Sequence, residues 1–214
     1  MQDIGLSSAL RAPLQGRSRQ SYERMMTAAE ALLAERGNGD FTLNEVSKRG
    51  KVSIGSIYNR FEGKDALLHA VQLRVLERVN NEMGGRIESA VVNSCDLDEL
   101  VTQLVEAVAE SLRAHAAPMS ALMQIATDDE HVSVTGKAFY AQTVEAFCGA
   151  ILDHRGKIAR PDPERAVETS FRVLYASIAR YLGFGSATTA AWEGDWTVLK
   201  EDLATMIAAF LRAA

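Results

Sequence analysis

Residues 42–64 of this 214-residue chain, TLNEVSKRGKVSIGSIYNRFEGK, decide the fold of its N-terminal part. Thr42 and Ser53 are favourable helix N-cap residues, and apolar residues at helical spacing follow each of them. Residues 48–51, KRGK, interrupt the helical pattern between the two. The stretch therefore predicts a helix of about two turns, a tight turn and a second helix that begins near Ile54.

The predicted second helix has two faces of different chemistry. Ile57 and Phe61 share its apolar face. The outward face carries short or polar side chains, namely Ser53, Ile54, Ser56 and Asn59. This composition suits a helix that lies in the major groove of DNA while the preceding helix crosses the phosphate backbone. Asn59 is chemically suited to adenine, and Ile54 is suited to the methyl group of thymine.

Another helix is predicted ahead of this stretch. Apolar residues recur at helical spacing from about Arg19 to Arg36, and Gly37 then ends the pattern. The three helices form a predicted DNA-binding head of residues 19–64, preceded by a flexible N-terminal arm of residues 1–18. Such an arm can follow phosphates or enter a minor groove, but a disordered terminus with ordinary solubilising charge fits its composition equally well.

The offsets within residues 42–67 resemble the signature of the TetR family of bacterial transcriptional regulators. That signature runs roughly Thr-x-x-x-Ile-Ala-x-x-Ala-Gly-Val-Ser-x-Gly-x-x-Tyr-x-x-Phe-x-x-Lys-x-x-Leu. The matching residues are Thr42, Val46, Ser47, Gly50, Val52, Ser53, Gly55, Tyr58, Phe61, Lys64 and Leu67. The motif covers about a tenth of the chain, and the resemblance implies a sequence-specific DNA-binding regulator of transcription.

One departure from the signature lies in the turn. Where the family usually has Ala-Gly, this chain has Gly50-Lys51. Lys51 then takes the position at which a glycine tolerates positive φ, and keeping that geometry costs about 1 kcal/mol. Lys51 would also stand beside the DNA backbone and is a candidate for a phosphate contact. The complete set of predicted DNA-binding residues is Arg17, Arg19, Thr42, Lys51, Ser53, Ile54, Gly55, Ser56, Tyr58, Asn59, Arg60 and Lys64.

The charge of the chain is distributed unevenly. Its net charge is −5, yet residues 17–64 carry nine Lys and Arg against six Asp and Glu. An acidic protein does not coat nucleic acid indiscriminately, whereas a locally basic patch on an acidic chain suits a specific binder. A charge excess of this size is usually only a solvated face, so it supports the motif without replacing it.

The remaining residues, 65–214, predict a helical body for regulation and dimerisation. A long helix opens at Lys64 and runs to about Met83, where Gly84 and Gly85 follow. Further helices are predicted over residues 96–117, 118–127, 132–154, 163–182 and 195–214. Few stretches alternate with period two, so the predicted fold class is all-α: a three-helix helix-turn-helix head followed by a helical ligand-binding and dimerisation domain.

The last two predicted helices carry heptad-like apolar stripes, as a helix-helix interface requires. The stripes consist of Val167, Phe171, Leu174, Ile178 and Tyr181 in one helix and of Trp196, Leu199, Leu203, Met206 and Phe210 in the other. The first helix has a further face that includes Val173 and Ser177. The resemblance implies that these helices form a four-helix homodimer interface and that the DNA site is an inverted repeat. The alternative is that both stripes are the core of a monomer.

The resemblance also implies a small-molecule effector bound inside the body. Candidate cavity residues are the apolar Met119, Met123, Phe139, Tyr140, Phe147 and Tyr175 with the polar His115 and Gln124. Their composition favours an apolar or aromatic ligand of low charge, although most of them would serve equally as plain core. Two functions follow: a dimeric repressor that a ligand releases from DNA, or a dimeric DNA-binding protein without a small-molecule site that recruits or responds to a protein partner.

Other constellations give no support to catalysis, so we expect no enzymatic activity and neither a cofactor nor a metal. Residues 128–131, DDEH, are contiguous and so are poorly placed to converge on one ion; a solvated loop is the favoured interpretation. Residues 183–185, GFG, follow a helix rather than a strand and predict a helix stop. Ser56 has no histidine near it in sequence, so a nucleophile elbow is excluded.

The expected location is the cytoplasm. No apolar run reaches the length of a membrane span, and the N-terminus lacks the pattern of a signal peptide. Cys95 and Cys148 lie far apart without metal-ligand spacing, which fits reduced thiols; a redox-sensing pair is the less favoured alternative.

Overall fold

The computed structural model describes residues 14–184 and 194–213, with side chains from residue 18 onward, and these residues form helices joined by short turns. The α-helices are α1 (Leu14–Arg36), α2 (Leu43–Gly50), α3 (Ile54–Tyr58), α4 (Lys64–Asn93), α5 (Leu97–Ala114), α6 (Ala116–Ile125), α7 (Glu130–Leu152), α8 (Pro163–Tyr181) and α9 (Trp196–Arg212). A 3-10 turn, Arg155–Lys157, follows α7. The all-α class and the helix-turn-helix head are confirmed.

Helices α1 to α3 pack around a small apolar core in the head. Its fully buried side chains include Met25, Leu33, Val46 and Ile57. Local signals set the helix ends. Gly37, at a φ of 68°, ends α1 with its N–H on the carbonyl of Leu33, and the next helix begins after the predicted N-cap at residue 42.

Helix α1 begins at Leu14, five residues earlier than the sequence pattern predicts. Gly16 is the main obstacle to helix between Leu14 and Arg19, and one glycine costs a helix only about 1 kcal/mol. The last five residues of the predicted arm are therefore helical, and residues 1–13 of the arm lie outside the described residues. The limits between arm, head and body remain predictions.

Helix α4 is also longer than predicted. It continues through Gly84 and Gly85 to Asn93, because the buried residues Met83, Ile87 and Ala90 extend its apolar stripe by two further turns. No neighbouring atom lies within 4 Å of the position of an added Cβ at either glycine. The sequence prediction gave these glycines too much weight as helix stops.

Helix α5 lies at the centre of the body. It packs against α4, α7, α8 and α9, while α7 bridges α4 and α8. In the head, α1 contacts both α4 and α6, so α4 belongs to both parts of the molecule: it starts at the head and forms a wall of the body. No helix in residues 14–184 or 194–213 is long and apolar enough to cross a membrane.

The heptad-like stripes of α8 and α9 mostly point into the body, which corrects the predicted dimer interface. Within the single chain, Val167, Phe171, Leu174, Ile178, Trp196 and Leu203 are buried, and Tyr181, Leu199 and Phe210 are partly buried. Only Met206 of the predicted set is exposed. Two helices that bury their best apolar stripes against α5 and α7 leave other faces to solvent, and the exposed apolar residues there are Val173, Val198 and Met206.

Candidate DNA-binding surface and effector cavity

The recognition helix α3 is short and capped by its own sequence. The Ser53 hydroxyl accepts a hydrogen bond from the backbone N–H of Ser56 at 3.1 Å, and the two hydroxyl oxygens lie 2.7 Å apart. Ile57 is buried beneath the helix, whereas Tyr58 is 59% exposed and Asn59 is exposed beside it. The side chains of Ser53 and Ser56 are therefore hydrogen-bonded to each other in this structure.

The turn between α2 and α3 shows why this chain has Gly-Lys rather than Ala-Gly. Lys51 adopts a φ of 50° and a ψ of 45°, the left-handed conformation expected from the signature. A Cβ at Gly50 would stand 2.9 Å from the backbone oxygen of Arg24, so glycine allows α2 to approach α1 closely. The glycine therefore serves packing at position 50, and the strain falls on Lys51.

Two of the predicted DNA-binding residues, Thr42 and Arg60, also make contacts within the head. Thr42 and Glu45 form a capping box, in which the Thr42 backbone N–H donates to the Glu45 carboxylate at 2.8 Å. Arg60 donates to the Ser18 carbonyl at 2.9 Å and lies over the ring of Tyr22. Thr42 and Glu45 cap α2, and Arg60 contacts α1. All three side chains therefore contribute to the folding of the head.

Ion pairs reduce the free positive charge of the head. Arg36 pairs with Glu45, and Arg49 pairs with Glu35. The hydrogen bond from Arg36 and those from the Thr42 backbone and side chain lower the pKa of Glu45 to about 2. Among the described residues, the exposed cations that keep no acidic partner include Arg19, Lys48 and Lys51, and these are available to phosphates. The side chain of Arg17 lies outside the described residues.

A cavity of about 280 Å³ lies in the body between α4, α6, α7 and α8, and we call it the body cavity. Five of the eight predicted ligand residues line it, namely Met119, Met123, Phe139, Tyr140 and Tyr175. Burial raises the pKa of Tyr175 to about 12 and also raises the pKa of Tyr140, so both phenols are neutral at physiological pH.

The other three predicted ligand residues lie elsewhere, which corrects the prediction for each. His115 bonds through Nε2 to the Glu82 carboxylate at 2.7 Å, outside the cavity lining. Gln124 is exposed on α6. Phe147 is completely buried and packs against Phe171 with ring centroids 5.1 Å apart. Helical spacing predicted the right helices but could not distinguish cavity lining from core on each of them.

The polar groups of the body cavity were missed by the sequence prediction. They include Gln72 and Asn80 on α4, and Lys137 and Thr143 on α7. The Gln72 amide donates to the Val132 carbonyl at 2.7 Å. A glutamine within the apolar stripe of α4, four residues from both Leu68 and Leu76, was the signal that could have identified it.

Residues 128–131 are more than a solvated loop. Asp129 caps α7 by accepting the Val132 backbone N–H at 3.0 Å, and its carboxylate bonds to His69 on α4 at 3.0 Å. The His69 and His131 rings stack with centroids 4.0 Å apart. The hydrogen bond from His69 is the main cause of a lowered Asp129 pKa. Across the described ranges, no group of three or more His, Cys, Asp or Glu residues could hold a metal ion.

Two smaller predictions can be checked directly. Gly183 has a φ of 75°, and the Phe184 N–H bonds to the Ala179 carbonyl at 2.9 Å, so the chain stops α8 there as predicted; residue 185 lies outside the described residues. Both cysteines are free, Cys95 exposed and Cys148 partly buried. Burial raises the pKa of the Cys148 thiol to about 11, which keeps that thiol protonated at neutral pH.

Comparison with known sequences supports the assignment of the head. A sequence model of bacterial regulatory proteins of the tetR family matches residues 25–71, which span α1 from Met25, all of α2 and α3, and the start of α4. No curated protein matches the chain significantly.

Solved structures extend the similarity to nearly the whole chain. A protein from Mesorhizobium loti classed with the TetR-family transcriptional regulators has a TM-score of 0.74 at 17% identity, over 91% of this chain and 96% of its own. One from Rhodococcus sp. has a TM-score of 0.62 at 19% identity, over 91% and 99%. The fatty acid degradation regulator FadR from Bacillus halodurans has a TM-score of 0.67 at 18% identity, over 91% and 97%.

Identities this low establish a shared fold and nothing finer about ligand or operator. The family match in residues 25–71 and the capped helix-turn-helix geometry are separate observations that agree with each other. Residues 25–71 are therefore similar to the sequence model of the tetR family, and the chain shares the fold of the TetR-family regulators compared above.

Proposed function

We propose that this protein is a dimeric transcriptional repressor that binds an inverted-repeat operator and leaves it when a small apolar or aromatic molecule enters the body cavity. The observation that carries the proposal is the position of α4. This helix begins at Lys64 in the head and supplies five residues of the cavity lining, Gln72, Leu76, Val79, Asn80 and Met83. One helix thus belongs to both the DNA-binding head and the wall of the body cavity.

On the DNA side, we assign two kinds of contact. We assign phosphate contacts to Lys51, Tyr58 and Lys64, which would position the head on any sequence. Asn59, which is exposed, would read base edges and thereby select the site. Ile54 is partly buried against the core and would offer its remaining surface to a thymine methyl group. The exposure of Tyr58 and Asn59 supports this division, because both side chains are free to meet a groove.

The dimer would form through the faces of α8 and α9 that the chain leaves exposed. Val173, Val198 and Met206 are 44%, 52% and 61% exposed, and they are the large apolar side chains that α8 and α9 leave to solvent. Pairing these faces about a two-fold axis would bury them and set the two recognition helices roughly 34–36 Å apart, the spacing of half-sites on one side of the duplex.

Release from DNA would follow from a shift in population. A ligand that prefers the conformation in which α4 holds the heads at the wrong spacing draws the protein away from the operator. A ligand that binds this conformation about 100-fold more tightly than the DNA-binding one supplies about 2.7 kcal/mol per site, which is enough to reduce operator occupancy substantially.

The test has two stages. Selection of bound duplexes from a random DNA library at about 150 mM salt, where nonspecific binding is weak, should enrich an inverted repeat. The variants are then compared on the selected operator and on altered versions of it. Lys64→Ala should weaken binding to all of these sequences, whereas Asn59→Ala should change the order of preference among them. Failure to enrich any sequence would refute the operator-binding role. An equal loss on every operator variant for Asn59→Ala would refute its role in base reading.

A screen of small apolar compounds for thermal stabilisation then tests the ligand part. Compounds that raise the melting temperature should also displace the protein from the selected operator. Stabilisation without displacement would show a ligand site that does not control DNA binding. No stabilisation by any compound would favour the alternative in which the body responds to a protein partner.

A further inference from the structure

Gln72 is the most deeply buried polar side chain of the body cavity. It is 1% exposed, and its Nε2 group donates to the Val132 carbonyl oxygen at 2.7 Å. Because a carbonyl oxygen only accepts hydrogen bonds, this contact fixes which end of the amide faces Val132. The other end, the Oε1 atom, is buried and has no hydrogen-bond partner among the described residues.

Neighbouring polar groups do not satisfy this oxygen. Asn80 donates to the Phe139 carbonyl at 3.3 Å and to Gln142 at 3.0 Å, and the Thr143 hydroxyl donates to Asn80 or to Phe139. Most of the remaining lining is apolar. Buried acceptors in proteins almost always have a partner, so the unpartnered oxygen of a residue that lines an otherwise apolar cavity is a candidate acceptor for a donor on a bound molecule.

The charge of the lining narrows the ligand further. Lys137 is the one charged side chain among the residues that line the cavity, and the lining contains no Asp or Glu. Tyr140 and Tyr175 are neutral because burial raises the pKa of each. A cationic ligand is penalised most, because the cavity is largely apolar, has no carboxylate in its lining and has the exposed Lys137 at its edge. A neutral ligand avoids the cost of burying a charge, and Lys137 offsets part of that cost for an anionic ligand.

We propose that the body cavity binds a small neutral or anionic apolar molecule whose hydroxyl, phenol or amide N–H group donates a hydrogen bond to Gln72 Oε1. The inference rests on the proposed function, because it assumes that the cavity is a ligand site. The volume of about 280 Å³ is near the lower end for ligand pockets, so the molecule has one or two rings or an equivalent short chain.

A ligand held in this way acts directly on α4. Gln72 lies eight residues after Lys64, which is about 12 Å along the helix. The same amide already ties α4 to the first turn of α7 through Val132. A donor on Oε1 therefore adds a second hydrogen bond to the side chain that joins these two helices.

The experiment compares two probes, 2-naphthol and its methyl ether 2-methoxynaphthalene, of which the ether lacks the donor and carries one additional methyl group. Dissociation constants are measured by calorimetry on the full chain as wild type, Gln72→Met and Gln124→Met. The last variant is the matched control, since Gln124 is exposed on α6 and lies outside the cavity lining. We expect 2-naphthol to bind about tenfold more tightly than its ether to wild type and to the control, as one neutral hydrogen bond implies. In Gln72→Met the preference for 2-naphthol should be lost.

Each of the other outcomes would contradict a specific part of the proposal. Equal binding of the two probes by wild type removes the hydrogen bond but leaves the cavity as a ligand site, and this result does not depend on the folding of any variant. A naphthol preference that survives in Gln72→Met places the donor elsewhere. Equal affinity for 2-(aminomethyl)naphthalene, a cation, overturns the charge selection. If wild type binds none of the probes, the inference falls, whereas binding through Gln72 without release of the operator overturns only the proposed function.

Discussion

The head and the body differ in how far along the chain their polar side chains reach for a partner. In the motif of the head, Thr42 bonds to Glu45 and Ser53 to Ser56, each three residues away. In the body, His69 and Gln72 bond to partners 60 residues away, at the start of α7. These caps of the helix-turn-helix motif are therefore specified by short stretches of sequence, whereas the contacts between α4 and α7 form only when distant helices meet.

This difference explains why one region can be recognised and the other cannot. A hydrogen bond between residues three apart requires two residue types at a fixed spacing. Such a pair can therefore be recognised in the sequence as a motif. A hydrogen bond between residues about 60 apart fixes how two helices pack against each other, but it does not require a fixed spacing that can be recognised in the sequence. Relatives can change such pairs jointly, which fits a fold shared at 17–19% identity with a family match confined to residues 25–71.

The largest effect on stability is expected from the long-range packing of the body. Phe171 is fully buried and packs against Phe147, so Phe171→Ala should lower the free energy of unfolding by about 3–5 kcal/mol. Urea denaturation measures the loss. Val134→Ala, at an exposed residue of α7, is the control and should change it by about 0.5 kcal/mol or less. A loss as small as that of the control would mean that the α8 stripe is not monomer core.

The next test asks whether the exposed faces of α8 and α9 meet a second chain. Met206→Glu places an unpaired charge on the proposed interface and should weaken the dimer about 100-fold, or about 2.7 kcal/mol. Sedimentation over a dilution series measures the dissociation constant. Val134→Glu introduces the same charge on α7 and should leave the assembly unchanged. If both variants remain as dimeric as wild type, the interface lies elsewhere.

A smaller effect is expected at the two left-handed positions of the head. Lys51→Gly should raise the free energy of unfolding by about 1 kcal/mol, because glycine adopts positive φ without strain. Gly37→Ala should lower it by a similar amount, about 1 kcal/mol, since its φ of 68° is unfavourable for alanine although no atom crowds the added Cβ.

The same Lys51 variant should weaken DNA binding while it stabilises the fold. Losing one phosphate contact reduces the slope of log affinity against log salt concentration by about one unit. Urea denaturation and binding titrations at several salt concentrations check the two effects. An unchanged salt slope would show that Lys51 does not contact a phosphate, and a loss of stability would show that its left-handed backbone carries no strain.

The sequence predicted the head well because its signals are local. The caps at Thr42 and Ser53, the left-handed residue at Lys51 and the buried Ile57 all lie where residues 42–64 place them. The start of α1 was the exception, and there a single glycine was outweighed by the helix around it.

In the body, the sequence predicted helices more reliably than faces. The α8 and α9 stripes have the period of an interface, but the same period serves a core, and only the position of α5 decides between them. The three misplaced cavity residues have the same cause. Gln72 was overlooked because its significance depends on Val132, which no local pattern connects to it.

The contacts of the Glu45 carboxylate with Thr42 and Arg36 should make the stability of the head depend on pH. Arg36 and Thr42 lower the Glu45 pKa to about 2, compared with an ordinary value of 4.5. A carboxylate whose pKa is lower in the folded state stabilises the fold above its ordinary pKa, and this contribution is lost as the pH falls from about 4.5 towards 2. Glu45→Gln keeps an amide oxygen for the capping box but removes the charge.

Wild type should therefore be more stable than Glu45→Gln at neutral pH, and the difference should disappear across that acid window. Urea midpoints measured from neutral to acidic pH give the two curves. Glu62→Gln is the control, because Glu62 is exposed in the same domain and forms no ion pair among the described residues, so its curve should follow wild type. Parallel curves for Glu45→Gln and wild type at every pH would mean that the carboxylate charge contributes nothing to the head, and that neutral hydrogen bonds alone hold the start of α2.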